Sequence, residues 1–182
     1  YLVSNVVVAL VWLWLLDYNL GYVNAAMDFI GLDRMPFFGE STAMGTIALI
    51  NVWRHLGYTA LLIFAGLLTI PKDVYEAAEV DGSGEWRTFF GVTLPLLRPV
   101  MFFVLVITIT GSFQIFDTIA VTTGGGPVNA TRTFSILITD KAWNSNQFGY
   151  AAAISVILML ILIVIALLQM RLLRGNESDL ER

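Results

Sequence analysis

The chain has 182 residues, of which 57% are apolar and 13% are charged, and its formal net charge is −4. A soluble domain carries about 25% charged residues, so a water-soluble globule is excluded and lipid is expected to cover much of the surface. The acidic balance argues against a nucleic-acid partner, while the absence of cysteine and the single histidine, His55, exclude a disulfide framework and a metal cluster of thiolates or histidines.

Four apolar blocks follow one another along the chain, at residues 1–16, 43–70, 100–121 and 148–173. A helix needs roughly 20 residues to cross a bilayer, and the third and fourth blocks meet this length. The first block is short, and Arg54 and His55 interrupt the second. Because a strand exposed to lipid leaves backbone groups unpaired, each block is predicted to be helical. The sequence thus predicts an all-α, polytopic transmembrane bundle in which residues 1–182 form one domain.

The start of the chain predicts that this domain is N-terminally truncated. Tyr1 is not an initiator methionine, and the chain opens inside an apolar run without a charged leader. We therefore expect earlier spans of a longer membrane protein to precede residue 1.

Three connections of different character join the blocks. Residues 17–42 are polar and rich in turn-forming residues, whereas residues 71–99 are charged and predict short amphipathic helices. Residues 122–147 open with three glycines and a proline at 124–127, which cannot form regular helix. This third connection is expected to lie outside the membrane or to line a polar cavity.

Lysine and arginine are unevenly divided between the two sides that four spans define. One side carries six cations and the other carries three. The six are Lys72, Arg87, Arg98, Arg171, Arg174 and Arg182, and the three are Arg34, Arg132 and Lys141. The positive-inside rule therefore predicts that residues 71–99 and the C-terminus are cytoplasmic.

Residues 71–99 have the pattern of a helix followed by a sharp turn. Pro71 suits a first helical turn, and Asp73 in that turn complements the positive end of the helix dipole. Val74, Ala77 and Ala78 fall on one face at helical spacing. Their small side chains would let another protein approach closely.

The second half of this loop is predicted to form another short helix. Gly82 permits a sharp turn, and Ser83 is expected to cap a helix that runs through Phe89. Pro95 and Pro99 are expected to end that helix and to start the third span. The result is a rigid helix–turn–helix, although an ordinary connector lying against lipid headgroups fits the same periodicity.

The identity and spacing of several residues in this loop resemble the EAA loop of ATP-binding-cassette (ABC) importer permeases. Glu76-Ala77-Ala78 is followed after three residues by Gly82 and after nine more by Val92, Leu94 and Pro95, with Val92 in place of the usual isoleucine. Further matching segments are Trp53-Arg54-x-x-Gly57, Ala65-Gly66-Leu67, Phe116-Asp117, Thr123 to Pro127 and Phe148 to Ala151. The resemblance covers nearly the whole chain and points to the carbohydrate-uptake branch, the maltose-type and glycerol-phosphate-type permeases.

This resemblance implies a set of partners. A second homologous permease subunit would complete the path, a cytoplasmic ABC ATPase dimer would bind ATP and magnesium, and an extracytoplasmic solute-binding protein would deliver the substrate across a bacterial inner membrane. This chain itself would hold no cofactor and no metal. The resemblance also implies that residues 71–99, the coupling loop, dock into the ATPase through Tyr75, Glu76, Ala77, Ala78, Asp81 and Gly82.

Four polar residues inside the apolar blocks are candidates for the substrate path. Arg54 either lines this path or extends to a headgroup, and His55 is interpreted as a structural residue. Ser112 and Gln114 can offer hydrogen bonds to sugar hydroxyls, or they can join helices to one another, which is the common use of mild polar groups in membranes. Asp117 either belongs to the path or lies at the water boundary.

Two other classes of protein compete with a transporter. A membrane enzyme would need convergent titratable groups, but no catalytic motif joins Arg54, His55 and Asp117. A non-transport membrane scaffold would explain the spans but not the loop spacing. If the chain is a transporter, the alternative to a permease for a sugar, a disaccharide or a polyol is a permease for sn-glycerol-3-phosphate.

Overall fold

The computed structural model describes residues 2–177, with side chains described as far as Arg171, and within that range the protein is built from helices without strands. Arg174 and Arg182, two of the six cations in the orientation argument, therefore lie outside the described side chains. The helices are α1 Asn5–Leu15, α2 Tyr22–Phe29, α3 Ala43–Leu67, α4 Lys72–Val80, α5 Glu85–Thr88, α6 Leu94–Leu96, α7 Arg98–Phe113, α8 Asp117–Thr122, α9 Phe134–Thr139 and α10 Phe148–Glu177. Two π-helical turns, Phe89–Thr93 and Asp140–Asn144, supplement them.

Three helical segments in the described part are long and apolar enough to cross a membrane: Ala43–Leu67, Arg98–Thr122 and Phe148–Arg171. They correspond to the second, third and fourth apolar blocks of the sequence. The helix of the first block, α1, is apolar but has only 11 residues. Many large apolar side chains of these helices are exposed, among them Leu49, Phe103 and Leu160, as is expected of helices whose outer surface faces lipid.

The described part of the chain divides into two compact units, the first made of residues 2–55 with 111–165 and the second of residues 56–110 with 166–177. In the first unit α1 packs against α8. One of its buried clusters contains Val8, Leu16 and Ile50, and the other contains Ile47, Ile119 and Ile136. Each cluster joins residues far apart in sequence, so burial of apolar side chains holds this unit together.

The connection 17–42 of the first unit is organised around a buried amide. The Asn24 side chain is fully buried; its Nδ2 donates to the carbonyls of Asp17 and Met35 at 3.2 and 3.1 Å, and its Oδ1 accepts from the Met35 N–H at 2.8 Å. The backbone N–H groups of Leu20 and Asn19 donate to the Asp17 carboxylate and lower its pKa. A polar loop thus satisfies its own buried groups.

In the second unit a glycine allows two helices to pack closely. A Cβ on Gly66 of α3 would lie 2.9 Å from Val100 Cγ2, in the first turn of α7, and 3.1 Å from Leu97 Cδ2, just before α7. Leu97 is buried. Small residues at such contacts are the usual means by which membrane helices approach one another.

Two predictions for the second half of the coupling loop are wrong. Ser83 does not cap a second helix through Phe89: α5 runs from Glu85 to Thr88, and Gly84 is its N-cap without a side-chain hydrogen bond. The Ser83 N–H instead donates to the Ala78 carbonyl at 3.0 Å, while the Gly82 N–H donates to the Glu79 carbonyl at 3.0 Å. This pair of bonds is a Schellman motif, so Ser83 helps to end α4 instead of starting α5.

The prolines at 95 and 99 do not end a helix as predicted, whereas Pro99 does lie at the start of the third span, as predicted. The π turn Phe89–Thr93 is followed directly by α6, which contains Pro95, and Pro99 occupies the second position of α7. The Leu94 N–H bonds the Phe89 carbonyl across the widened π turn, and this local change of register lets helical backbone pass Pro95, which lacks an N–H. Pro99 lies in a first turn, where N–H groups have no partner in the helix.

Candidate functional site

The first half of the coupling loop is a short helix that ends in a fixed turn. Pro71 is the N-cap of α4, and Asp73 lies in its first turn. Gly82 follows the helix with φ +73°, as the turn prediction required. A side chain at Gly82 would meet nothing within 4 Å, so glycine is needed there for its backbone angle and not for space.

The structure divides the predicted docking residues between two sides of α4. Ala78 is buried, with 8% of its surface exposed, and Tyr75 is half-buried. The Thr93 hydroxyl donates to Tyr75 Oη at 3.4 Å, so this side of α4 packs against the helical segment that follows the turn. Glu76, Ala77, Asp81 and Gly82 are exposed. The predicted common face of Val74, Ala77 and Ala78 is therefore split, because the chain covers Ala78 and leaves Ala77 open.

Two exposed apolar side chains of the coupling loop were missed by the sequence analysis. Val80 is 88% exposed and Trp86 is 77% exposed. The Trp86 ring stacks on Phe90 with 6.4 Å between the centroids. Large apolar side chains in a charged connection are the available sequence signal for a contact surface.

Three of the four candidate substrate-path residues, Ser112, Gln114 and Asp117, lie at an interruption in the third span, which the sequence analysis treated as continuous. Helix α7 ends at Phe113, and α8 begins at Asp117. Ser112 and Gln114 at this break are exposed. Thr133 Oγ1 donates to the Ile115 carbonyl at 3.3 Å, so a side chain from the following connection satisfies a backbone group of the break. Interrupted helices at membrane depth occur where backbone is covered by protein or lines a cavity.

Arg54 and Asp117 are both tied to the beginning of the chain. The Asn5 Nδ2 donates to the Asp117 carboxylate at 2.8 Å, and the Arg54 Nη2 donates to the Val3 carbonyl at 3.3 Å. Both side chains are half-buried. Arg54 and Asp117, which are 63 positions apart in sequence, thus both bond to groups at the beginning of the chain, Val3 and Asn5. The sequence analysis missed this role of Asn5.

His55 bonds its own helix, in line with the structural interpretation. Its Nδ1 lies 2.8 Å from the Asn51 carbonyl, one turn earlier in α3, so the ring donates its proton there. Among residues 2–177 the structure contains no group of three or more metal-binding side chains of the His, Cys, Asp or Glu type.

Residues 1–176 match the family described as the binding-protein-dependent transport system inner membrane component. The chain belongs to this family. The predicted family and the all-α fold of an ABC importer permease are therefore confirmed. The prediction that the chain is a permease component of a transporter and not an enzyme is confirmed as well. The family description also places this permease in the inner membrane.

Individual relatives agree with this membership. The permease is 38% identical over 172 residues to the sn-glycerol-3-phosphate transport system permease protein UgpA of Yersinia pseudotuberculosis, covering 94% of this chain and 58% of UgpA. It is 32% identical over 180 residues to the probable ABC transporter permease protein YurN of Bacillus subtilis, covering 97% of this chain and 62% of YurN. This chain spans about three-fifths of the length of these relatives.

A solved structure has the same fold. It belongs to a bacterial ABC transporter involved in the import of the acidic polysaccharide alginate, and it superposes with a TM-score of 0.87 at 25% identity, covering 96% of this chain and 62% of that one. The helix order of the permease is therefore that of a known importer subunit.

Proposed function

We propose that this chain is the permease subunit of an ATP-driven, binding-protein-dependent importer of a carbohydrate, which can be a sugar, a disaccharide or a polyol. A solute-binding protein delivers the substrate, a second homologous permease completes the path, and a cytoplasmic ATPase dimer binds ATP and magnesium. Family membership supports this assignment, and the alginate importer with the same fold supports the substrate class. The similarity to UgpA favours sn-glycerol-3-phosphate as the alternative substrate.

The coupling loop, residues 71–99, docks into the ATPase. The observation that carries this proposal is the division of α4 into a side that packs on its own chain, at Ala78 and Tyr75, and an exposed side with Glu76 and Ala77. The Schellman motif at Gly82 fixes the direction of the chain as it leaves α4. An exposed helix whose following turn has a defined backbone conformation can pass the movement of a partner on to the spans.

The coupling loop and the C-terminus face the cytoplasm. The cation asymmetry of the sequence supports this orientation, and a cytoplasmic ATPase requires it. Residues 17–42 and 122–147 then lie on the outer side, where the solute-binding protein docks.

Charge reversal at Glu76 tests the docking proposal. In the complete importer in proteoliposomes, Glu76→Lys should leave the permease in the membrane but reduce ATP-driven uptake by about tenfold or more, since a like-charge or mismatched contact at an interface costs several kcal/mol. The amount of ATPase that co-purifies should fall in Glu76→Lys and stay unchanged in the matched control Glu40→Lys, because Glu40 is also exposed but belongs to the outer connection. Normal substrate-stimulated ATP hydrolysis and uptake in Glu76→Lys would exclude Glu76 from the docking surface.

The interruption between α7 and α8 forms part of the substrate path, with Ser112 and Gln114 as hydrogen-bonding groups. Their exposure at a helix break supports this role, since substrate sites of many membrane transporters are built from discontinuous helices. Ser112→Ala combined with Gln114→Ala should raise the KM of uptake. Thr108→Ala is the control, because Thr108 is also exposed but lies one turn earlier in α7, before the break. Unchanged kinetics and selectivity in the double variant would remove both residues from the path.

A further inference from the structure

A cavity of about 340 Å³ in the first compact unit lies outside the coupling loop and meets the break between α7 and α8 at Phe116, although Ser112 and Gln114 do not line it. Three elements bound it: α8, the glycine turn Gly124–Gly126, and α9 with the π turn that follows. Small-molecule sites in proteins have volumes of about 300–1,000 Å³. The cavity lies at the lower end of this range, so it suits one or two sugar rings and not a long oligosaccharide.

A connected set of polar side chains lines this cavity. Arg132 Nη2 forms an ion pair with Asp140 Oδ2 at 2.6 Å, and Arg132 Nη1 donates to Asn129 Oδ1 at 3.2 Å. Asn144 Nδ2 donates to the other Asp140 oxygen at 3.2 Å. Each of the four side chains is therefore positioned by another, which gives the site a defined shape before any ligand arrives.

The lining retains both donors and acceptors for a ligand. The Asn129 amide nitrogen, the Asn144 amide oxygen and further N–H groups of Arg132 remain for other bonds by the capacity of these groups. A sugar hydroxyl both donates and accepts, so it matches a mixed set of this kind. Phe116 and Ile136 supply an apolar wall, against which the C–H face of a sugar ring can pack.

The charge of the cavity selects against anions. Among the described residues that line it, Arg132 and Asp140 are the charged ones, and they neutralise each other. A phosphate ester would meet the Asp140 carboxylate, and the compensating guanidinium is already paired. A neutral ligand meets no such cost.

We infer that this cavity is a subsite for a neutral carbohydrate of one or two rings. The inference rests on the proposed function, because it takes its ligand class from a carbohydrate importer. It also deepens that function, since it separates neutral sugars from sn-glycerol-3-phosphate, the substrate named for the relative UgpA.

Cysteine protection tests the subsite in the complete importer without its binding protein. The chain contains no cysteine, so Ala120→Cys places its one thiol on an exposed lining residue of α8. Ala25→Cys on α2 is the matched control, because Ala25 is also exposed but does not line the cavity. The probes are maltose, trehalose and sn-glycerol-3-phosphate, and peptide mass spectrometry measures the rate of alkylation at each thiol.

At least one of the two disaccharides should slow alkylation at residue 120 by about threefold when its concentration is about twice Kd, because labelling falls by the factor 1 + [L]/Kd. The same sugar should leave residue 25 unaffected, and sn-glycerol-3-phosphate should protect neither. Adding Asn144→Leu or Asp140→Asn to Ala120→Cys should abolish the protection. Adding Asp28→Asn should leave the protection intact. It is the control for Asp140→Asn, because Asp28 forms an ion pair with Arg34 at the same distance of 2.6 Å but does not line the cavity.

Uptake measured with the same sugars separates the two proposals. Transport of a disaccharide without protection of residue 120 would overturn the subsite and leave the importer function standing. Protection at residue 120 without uptake of any carbohydrate would support the subsite and contradict the proposed substrate class. Equal slowing at residues 120 and 25, or protection by sn-glycerol-3-phosphate alone, would also overturn the subsite.

Discussion

The two connections on either side of the third span differ in how much of their surface their own chain covers. In the coupling loop, residues 71–99, 19 of 29 residues are exposed, whereas in residues 122–147 only 10 of 26 are exposed. The second connection also forms many side-chain hydrogen bonds, including those of Thr131, Arg132 and Thr139. In the coupling loop, by contrast, a side-chain hydrogen bond between two helical segments is described for Thr93 and Tyr75.

The difference is that residues 122–147 make many of their hydrogen bonds and apolar contacts within the chain, whereas the coupling loop leaves more of its surface exposed to a partner. Residues 122–147 bury Thr131 and Ile136 and pair Arg132 with Asp140. The coupling loop leaves Glu76, Val80 and Trp86 exposed. Substitutions of the buried residues of the connection 122–147 should therefore act on stability, whereas substitutions on the exposed side of α4 should act on coupling.

The largest expected effect comes from adding bulk to the two neighbouring alanines of α4. Ala77→Trp should lower ATP-driven uptake and the amount of ATPase that co-purifies by about tenfold, without lowering the unfolding temperature of the permease, because Ala77 is exposed. Ala78→Trp should destabilise the loop by about 1–3 kcal/mol, because it overfills a packed contact.

Hydrogen exchange of the α4 amides distinguishes the two alanine variants. Exchange should quicken in Ala78→Trp and stay unchanged in Ala77→Trp. If Ala77→Trp speeds exchange as much as Ala78→Trp does, the exposed side of α4 is not a free docking surface and the comparison between the two connections fails.

The next effect concerns a buried hydroxyl in residues 122–147. Thr131 is fully buried; its Oγ1 donates to the Gly126 carbonyl at 2.8 Å and lies 2.7 Å from Thr123 Oγ1. Thr131→Val keeps the shape of the side chain but leaves these partners unsatisfied, so the free energy of unfolding should fall by about 1–3 kcal/mol. Thr108→Val, on an exposed helical position, should cost about 0.5 kcal/mol or less. Equal effects in a denaturation experiment would show that residues 122–147 are not held by this network.

A smaller effect is expected from the turn of the coupling loop. Gly82→Ala should cost about 1–2 kcal/mol, because a residue with a Cβ resists positive φ, while Gly82→Asn should cost less since asparagine tolerates that region. Gly84→Ala is the control, since Gly84 has φ −71° and open space around its Cβ position. Thermal unfolding of the three variants gives the ranking. An equal cost for Gly82→Ala and Gly84→Ala would show that the positive φ of Gly82 does not determine the stability of the turn.

Local chain chemistry allowed part of this structure to be predicted. Apolar length indicated the spans, and the motif around Glu76 and Gly82 indicated the family and the turn. Ser83 and Pro95 were misassigned because their roles depend on hydrogen bonds of the preceding turn, which a Schellman motif and a π turn redirect. The bonds from Asn5 to Asp117 and from Arg54 to Val3 join distant positions, and no local pattern encodes such pairings.

The smallest effect is expected from Tyr75→Phe, which tests whether the Tyr75 hydroxyl contacts its own chain or the ATPase. The distance from Thr93 Oγ1 to Tyr75 Oη is 3.4 Å, longer than a strong O–H···O bond, so Tyr75→Phe should change the free energy of unfolding by about 0.5 kcal/mol or less. Uptake should also stay unchanged, because the hydroxyl points at the protein's own Thr93 and not at the ATPase. Thr93→Val removes the other partner and should match Tyr75→Phe in both measurements. If Tyr75→Phe alone lowers uptake while stability holds, the hydroxyl contacts the ATPase, and the covered side of α4 takes part in docking together with the exposed one.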